Sequence, residues 1–371
     1  MKVFLINSTK TWGGGEKWHL ETAIYLKNKG HDVTILAYAG RALYQRSMAA
    51  GIRTFPVIIS NFSFLNPFCI HAFIRLFRKE KPDIVILNFS ADVKTCGIAA
   101  KQAGIRHIIY RRGSAIPIRN TFINRLLYKN IISYIIANSE ETKRTILQNN
   151  VHLFPRDKII VIYNGIDLAL LDRQMGTQLY KKGEKEIVIG HAGRMVLQKG
   201  QKYLIEMAKI LKQKGIDFKI LIAGEGPLDR SLRQLAVVYG VENQVIFLGF
   251  VNHVKTFMDN IDIFVLPSNW EGFGYVLVEA MACRKPVVAF NISSNPEIVV
   301  DHETGFLVNP MDINSFTEKV ELLGRDPDMC TAFGQAGRKR VEEFFGIENN
   351  QKKVESLLEG LVSAELKSDR L

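Results

Sequence analysis

Two α/β domains in tandem, each a doubly wound parallel sheet covered by helices on both faces, is the fold class this sequence predicts. Three observations carry it. Short apolar runs alternate with amphipathic helical stretches, once through the first half of the chain and again through the second. A polar, poorly periodic stretch, 172–185, separates the two series. The chain has 371 residues, too many for one typical core but suited to two domains of roughly 150–200 residues. The expected division is an N-terminal domain, 1–171, a linker, 172–185, and a C-terminal domain, 186–345. A final helix and tail, 346–371, could pack back on the N-terminal domain, and a cleft is expected between the two sheets.

In the first series Lys2–Ile6 reads as a strand, Thr11–Glu16 (TWGGGE) as a glycine-rich turn and Leu20–Asn28 as an amphipathic helix ending at Gly30. Strands follow at His31–Ala37, Thr54–Ile59, Ile84–Asn88, His107–Tyr110 and Tyr134–Asn138, with helices between them. Ser139 is suited to cap a helix over Glu140–Asn149. The second series has strands at Glu186–Gly190, Phe218–Ala223, Gln244–Leu248, Ile261–Leu266 and Pro286–Phe290. Helices at Lys202–Lys214 and Leu228–Tyr239 separate the earlier ones. Ile347–Leu361 reads as a last amphipathic helix before a polar, mobile end.

Bulk properties narrow the function classes. A hydrophobic content of 47% and a charged content of 23% are ordinary for a soluble globular protein. Cys69, Cys96, Cys283 and Cys330 form no C-x-x-C pair, which argues against a disulfide framework or a zinc site and fits a reducing compartment. No apolar run approaches the roughly 20 residues of a membrane span. The start, MKVFLIN, is too short for a signal peptide, so a cytoplasmic location is expected. The net charge of +12 is unevenly placed: residues 1–165 hold 24 Lys/Arg against 9 Asp/Glu, while the rest holds 25 against 28. Between Asp92 and Glu140 there are eight basic residues and no acidic one.

Within the basic half, Ile105–Ile136 and Phe62–Lys81 mix Arg and Lys with aromatic and aliphatic residues. Phe64, Phe68, Phe73 and Phe77 belong to the second patch. Part of each must be core, yet the pattern suits the surface of an anionic membrane, with the protein peripheral on its inner face. Nucleic acid is not expected as a partner, because the basic residues match no recognised motif.

The most informative stretch is Ile261–Phe290. An apolar strand closes at Pro267-Ser268, a polar glycine loop follows over Asn269–Gly274, and helical spacing begins at Tyr275. A loop running straight into a helix presents N–H groups and a positive dipole end to an anion. Glu271 and Glu279 bracket that turn. Either they accept hydrogen bonds from sugar or ribose hydroxyls, or Glu271 caps the helix and Glu279 is merely solvated. The TWGGGE turn lacks the G-x-G-x-x-G spacing, which argues against NAD.

Together with Tyr163–Asp167 (YNGID), Gly193–Gly200 (GRMVLQKG), Ala223–Pro227 (AGEGP), Phe247–Phe250 (FLGF) and Asn295–Val308, this stretch resembles the retaining GT-B glycosyltransferases of family four, the group 1 transferases. Bacterial members that build lipopolysaccharide or other polysaccharides are most similar in style. The resemblance implies two Rossmann-like domains facing a central cleft. It implies transfer of a sugar, with retention, from a nucleotide-diphosphate sugar (a UDP-sugar expected) to a hydroxyl of a lipid-linked glycan. Arg194 and Lys199 would clamp the diphosphate. Glu271 would hold the sugar hydroxyls and Glu279 the ribose. Phe273, Gly274 and Tyr275 would offer backbone N–H groups. Asn164, at a strand end or in an ordinary Asn-Gly turn, and Gly14 and Gly15 would complete the donor site. No metal and no cofactor is implied, since the two cations do a divalent ion's electrostatic work. Where family members often carry an acceptor-side histidine this chain reads YRRGSAIP, so Arg111 or Arg112 takes the approximate slot. A nucleotide-sugar epimerase or hydrolase on the same scaffold is the alternative.

Overall fold

The computed structural model describes Met1–Ser368, with side chains through Ala364; the polar end expected beyond 368 lies outside the described residues. The chain divides into two compact units, Met1–Asn164 together with the chain from Glu348 onward, and Gly165–Ile347. The division falls earlier than the boundary at 171 that the sequence suggests, and the last helix belongs to the first unit.

The first unit contains a seven-stranded parallel sheet. Its strands are β1 (Lys2–Asn7), β2 (Asp32–Tyr38), β3 (Arg53–Val57), β4 (Ile84–Leu87), β5 (His107–Arg112), β6 (Tyr134–Ala137) and β7 (Ile159–Val161), in the order β3-β2-β1-β4-β5-β6-β7. Both faces are covered, as a fully parallel sheet requires. Along β1 the side chains alternate between two cores. Phe4 and Ile6 enter the cluster built on Phe77, Leu87 and Tyr128, whereas Val3 and Leu5 enter the one built on Trp18, Leu26 and Ile86. The last helix, Ile347–Ser368, adds Val354 and Leu358 to the second cluster. It is fixed there by Tyr25 Oη donating to Glu355 at 2.9 Å and by His31 Nε2 at 3.2 Å from the same carboxylate.

The second unit contains a six-stranded parallel sheet. β8 (Ile187–Ala192), β9 (Phe218–Ala223), β10 (Val245–Gly249), β11 (Ile263–Leu266), β12 (Val287–Phe290) and β13 (Gly305–Val308) run in the order β10-β9-β8-β11-β12-β13. In each sheet the order reverses once, beside β1 and β4 in the first and beside β8 and β11 in the second. Such reversals leave a crevice at the carboxyl ends of the strands, the place where open α/β sheets take ligands.

Three local differences from the sequence expectation have physical causes. The first helix spans Gly14–Asn28 and so begins inside the glycine run, not at Leu20; Glu16 sits in its first turn, where the dipole favours an acid. β7 and β13 are three- and four-residue strands, too short to show a period. The stretch expected to be a linker begins with the end of a helix, Leu168–Arg173, and is docked on the second unit. Asn260 accepts from the N–H groups of Leu179 and Tyr180, at 2.8 and 3.1 Å, and Lys182 pairs with Asp262 at 2.6 Å. The phenylalanines of the 62–81 patch also divide: Phe77 is fully buried and Phe73 packs on the core, while Phe68 is 85% exposed. Among the described residues no helix is long and apolar enough to cross a membrane.

Candidate active site

The crevice of the second unit is lined by the loops that leave β8 and β11. These loops are zipped together by two hydrogen bonds: the Asn269 backbone N–H donates to the Gln198 carbonyl at 2.7 Å, and the Gln198 side-chain amide to the Trp270 carbonyl at 3.0 Å. Their closeness depends on glycine. Gly200 has φ +66°, and a Cβ there would lie 2.0 Å from the Pro267 carbonyl oxygen. Gly224, at the end of β9, has φ +131°, and its Cβ would lie 2.1 Å from the Gly193 carbonyl oxygen. Any other residue at either position would separate the strand ends.

The zipped loops bring together two of the residues singled out in the sequence, Lys199 and Glu271. Lys199 Nζ lies 2.6 Å from Glu271 Oε1, and the Ser268 hydroxyl donates to the same oxygen at 2.7 Å. Glu271 is buried, at 3% exposure, so it is an ion-pair member and not a helix cap. Arg194 is exposed, and among the described residues its guanidinium makes no ion pair. Its backbone is nevertheless fixed, because the Gln201 amide donates to the Arg194 carbonyl at 3.0 Å. Gln201 is aligned by buried His191, whose Nδ1 lies 3.0 Å from the Val265 carbonyl and whose Nε2 lies 3.3 Å from the Gln201 amide nitrogen. Burial pushes the His191 pKa down to about 4, so the ring is neutral: Nδ1–H donates to Val265 and Nε2 accepts from Gln201. His191, Gln201 and Ser268 carry no signal of their own in the sequence.

The helix Tyr275–Ala282 starts where expected, after Gly274. The first N–H groups of a helix lack partners within it, but that of Tyr275 is taken by the Phe273 carbonyl at 2.8 Å. This corrects the expectation that Tyr275 offers its N–H to a ligand. Its hydroxyl donates instead to the Gly165 carbonyl at 2.6 Å. Phe273 is buried against Tyr275 and Phe345. Glu279 lies half-buried in the second turn of this helix.

Asn164 belongs with the first unit, where it joins a second group of expected site residues. Arg111 is buried and donates to the Asn164 side-chain oxygen at 2.8 Å, reaches the Asn88 oxygen at 3.5 Å, and stacks over Trp18 at 5.1 Å. Gly15 is packed closely beside it: a Cβ there would come within 3.3 Å of Asn88 and 3.5 Å of Arg111. Gly14 has open space. Glu16, also buried, accepts from Asn7 at 3.0 Å; burial raises its pKa, and the positive charge of Arg111 opposes the rise. Burial likewise lowers the Arg111 pKa to about 10 and that of His19, bonded to the Gly15 carbonyl at 2.9 Å, to about 3. The polar members Asn7, Asn88 and Asn164 went unread beyond Asn164. Each stands at or just past the carboxyl end of a strand, which is the signal that could have found them.

Arg112 parts company with Arg111. It binds the Tyr110 hydroxyl at 3.2 Å and the Ile116 carbonyl, and it lines a cavity with Lys94 and Arg119.

Comparison with known proteins identifies the family. Residues 172–340 match the family described as glycosyl transferases group 1, and residues 12–170 match glycosyltransferase family 4. The chain is 31% identical over 350 residues to the capsular polysaccharide biosynthesis glycosyltransferase CapM of Staphylococcus aureus, covering 90% of this chain and 91% of that one. It is 27% identical to the N-acetyl-alpha-D-glucosaminyl L-malate synthase of Bacillus anthracis, covering 73% of each. Among solved structures, HepE of Anabaena in complex with UDP and glucose superimposes with a TM-score of 0.83 at 21% identity, covering 97% of this chain and 100% of that one, and shares the GT-B fold. With family descriptions matched across both units and a near-full-length relative above 30% identity, the chain belongs to the family 4, group 1 glycosyltransferases.

Proposed function

We propose that this glycosyltransferase moves a sugar, with retention of configuration and without a metal ion, from a UDP-sugar to a hydroxyl of a lipid-linked glycan. The observation that carries the donor side is the Lys199–Glu271 pair at the sheet reversal of the second unit, with exposed Arg194 in the same loop after β8 as Lys199. A lysine ammonium has three donors, so Lys199 can hold Glu271 and still bind a diphosphate oxygen. Arg194 brings the second charge, and both interactions strengthen as the leaving UDP gains charge. Glu271 accepts hydrogen bonds from the donor sugar, Glu279 serves the ribose, and Phe273 and Gly274 supply N–H groups at the helix start. The leaving phosphate takes the acceptor proton on the same face, which accounts for retention without a covalent enzyme intermediate.

UDP is favoured because the HepE structure contains it, and a polysaccharide acceptor because CapM is a capsular polysaccharide enzyme. Peripheral attachment to the inner, cytoplasmic face of an anionic membrane is supported by the helix Phe122–Asn130. It exposes Phe122, Ile123 and Leu126 beside Arg125 and Lys129.

The deciding experiment is calorimetric titration with UDP-glucose, UDP-N-acetylglucosamine and GDP-mannose, followed by proton NMR of the product's anomeric centre, with and without EDTA. Tighter binding of GDP-mannose, an inverted product, or loss of turnover in EDTA would each overturn the corresponding part. Flotation with phosphatidylglycerol vesicles tests the membrane part, and a protein left wholly in the unbound fraction would remove it.

A further inference from the structure

The cavity at Arg112 is absorbed by none of the donor chemistry. It measures about 370 Å³, within the range of small-molecule sites, and its walls come from the segment after β4, from β5 and from the helix Phe122–Asn130. It therefore opens at the carboxyl end of the first sheet, on the opposite face from Arg111. Three cations line it, Lys94, Arg112 and Arg119, and no carboxylate does. Among the described residues none of the three is ion-paired. Like charges gathered round a concave wall raise the local positive potential, so an anion shared among them is favoured there. Neutral donors stand among them, the Tyr110 and Tyr128 hydroxyls, while the Asn124 amide donates to the Arg119 carbonyl at 2.7 Å. Arg112 is held in place by the Tyr110 hydroxyl and the Ile116 carbonyl, while its Nε–H is buried and has no acceptor.

Exposed apolar side chains adjoin the lining residues along the chain. Ile116, Phe122 and Ile123 are about half to two-thirds exposed, at 52, 66 and 47%, and Ile123 lines the cavity itself. Lys94 lies over the Phe64 ring at 5.7 Å, next to exposed Phe62 and Leu65. Cations in the cavity, with exposed apolar side chains on the segments that line it, match a molecule with an anionic head and an apolar tail.

We propose that this cavity binds the phosphate or diphosphate head of an amphiphile. On the proposed function, from which only the identity of the occupant is taken, that amphiphile is the carrier of the acceptor glycan. The enzyme then selects acceptors by the charge at their lipid end as well as by the sugar they present. Three cations with tyrosine hydroxyls among them can satisfy the several acceptor oxygens and the multiple charge of a phosphate or diphosphate.

The test uses the full-length chain and farnesyl diphosphate as the probe, followed by calorimetry. Wild type should bind it, farnesol should not compete, and Arg112→Gln and Arg119→Gln should each weaken binding about tenfold or more, with melting temperatures measured alongside. Arg119 is exposed, so its variant keeps the test alive should Arg112→Gln fold poorly. Saturating UDP should leave farnesyl diphosphate bound, and Arg194→Ala should abolish UDP binding only. Phosphatidylglycerol vesicles that compete in wild type but not in Arg119→Gln would support the site with bulk lipid as the phosphate source; vesicles that do not compete would support the acceptor carrier. Farnesol competing as well as its diphosphate, both variants binding like wild type, or displacement by UDP would overturn the proposal. Failure of UDP to bind at all, with the Arg112 and Arg119 effects intact, would instead sink the donor reading and leave the cavity standing.

Discussion

Lys199→Ala is expected to weaken folding as well as catalysis, and the ion pair sets the size of the effect. Lys199 Nζ sits 2.6 Å from Glu271, with side-chain exposures of 17% and 4%. Truncating the lysine leaves a buried carboxylate with one neutral hydrogen bond, from Ser268. Removing one partner of a fully buried pair costs about 3–5 kcal/mol; the partly exposed lysine reduces this to about 2–4 kcal/mol here. Glu271→Gln made in the Lys199→Ala background removes the stranded charge and keeps a hydrogen-bonding group for Ser268. The double variant should therefore recover much of the loss, with a coupling energy of about 1–3 kcal/mol. Urea titration followed by fluorescence and circular dichroism reads this out. Trp270 adjoins Glu271, and two probes are needed because two units need not unfold together. A Lys199→Ala midpoint equal to wild type, or strictly additive effects in the cycle, would refute the claim that the pair is held in a desolvated crevice.

Three further outcomes are expected. Arg194→Ala, at an exposed position, should cost about 2–4 kcal/mol of transition-state stabilisation, roughly 30- to 1,000-fold in kcat/KM, with no change in melting temperature; near-normal turnover would remove Arg194 from the reaction. Gly200→Ala should destabilise by about 2 kcal/mol or more, since it adds strain at φ +66° and a contact 2.0 Å from Pro267; an unchanged melting temperature would contradict the close approach of the two loops. Asp92 is fully buried and its pKa is raised by burial from 3.8 to about 6. The folded chain thus keeps a proton there that the unfolded chain has lost, so this contribution is full below about pH 4 and fades as pH rises through 6. It amounts to about 3 kcal/mol, and Asp92→Asn should flatten the fall in melting temperature between pH 4 and 7. A parallel pH dependence in wild type and variant would dismiss it. His19 and His191 act with the opposite sign, their lowered values removing stability as pH falls below about 6.5.

Most strands were legible because a parallel sheet covered on both faces writes itself as continuous apolar runs. β4, IVIL, and β11, IFVL, are buried at every position and could hardly be read otherwise. The donor motif was legible for a different reason. Its residues are local to two loops, whereas the sheet order that sets β8 beside β11 and so joins those loops comes from the structure. What escaped was contact at long sequence range. Nothing around His191 indicates that its ring aligns Gln201, or around Ser268 that its hydroxyl supports Glu271. Nor does the sequence signal that the Tyr275 N–H is occupied: a helix start leaves its early donors open in general, whereas one tight turn to Phe273 consumes this one.

The same distinction explains why Arg111 and Arg112 could not be told apart in advance. Neighbouring residues in a strand point to opposite faces, so one step along β5 separates two chemistries. Arg111 enters the packed face, among Asn88, Asn164 and Trp18, and its charge opposes the rise in the Glu16 pKa. Arg112 shares a face with Tyr110, two residues before it, and reaches a cavity that has cations but no acid. A guanidinium among amide oxygens with a carboxylate nearby is already compensated. One among other cations is compensated only by what it binds. The single slot expected for a histidine is therefore two sites back to back, and exchanging Arg111 for glutamine should disturb the fold of the first unit, whereas exchanging Arg112 should disturb what that unit binds.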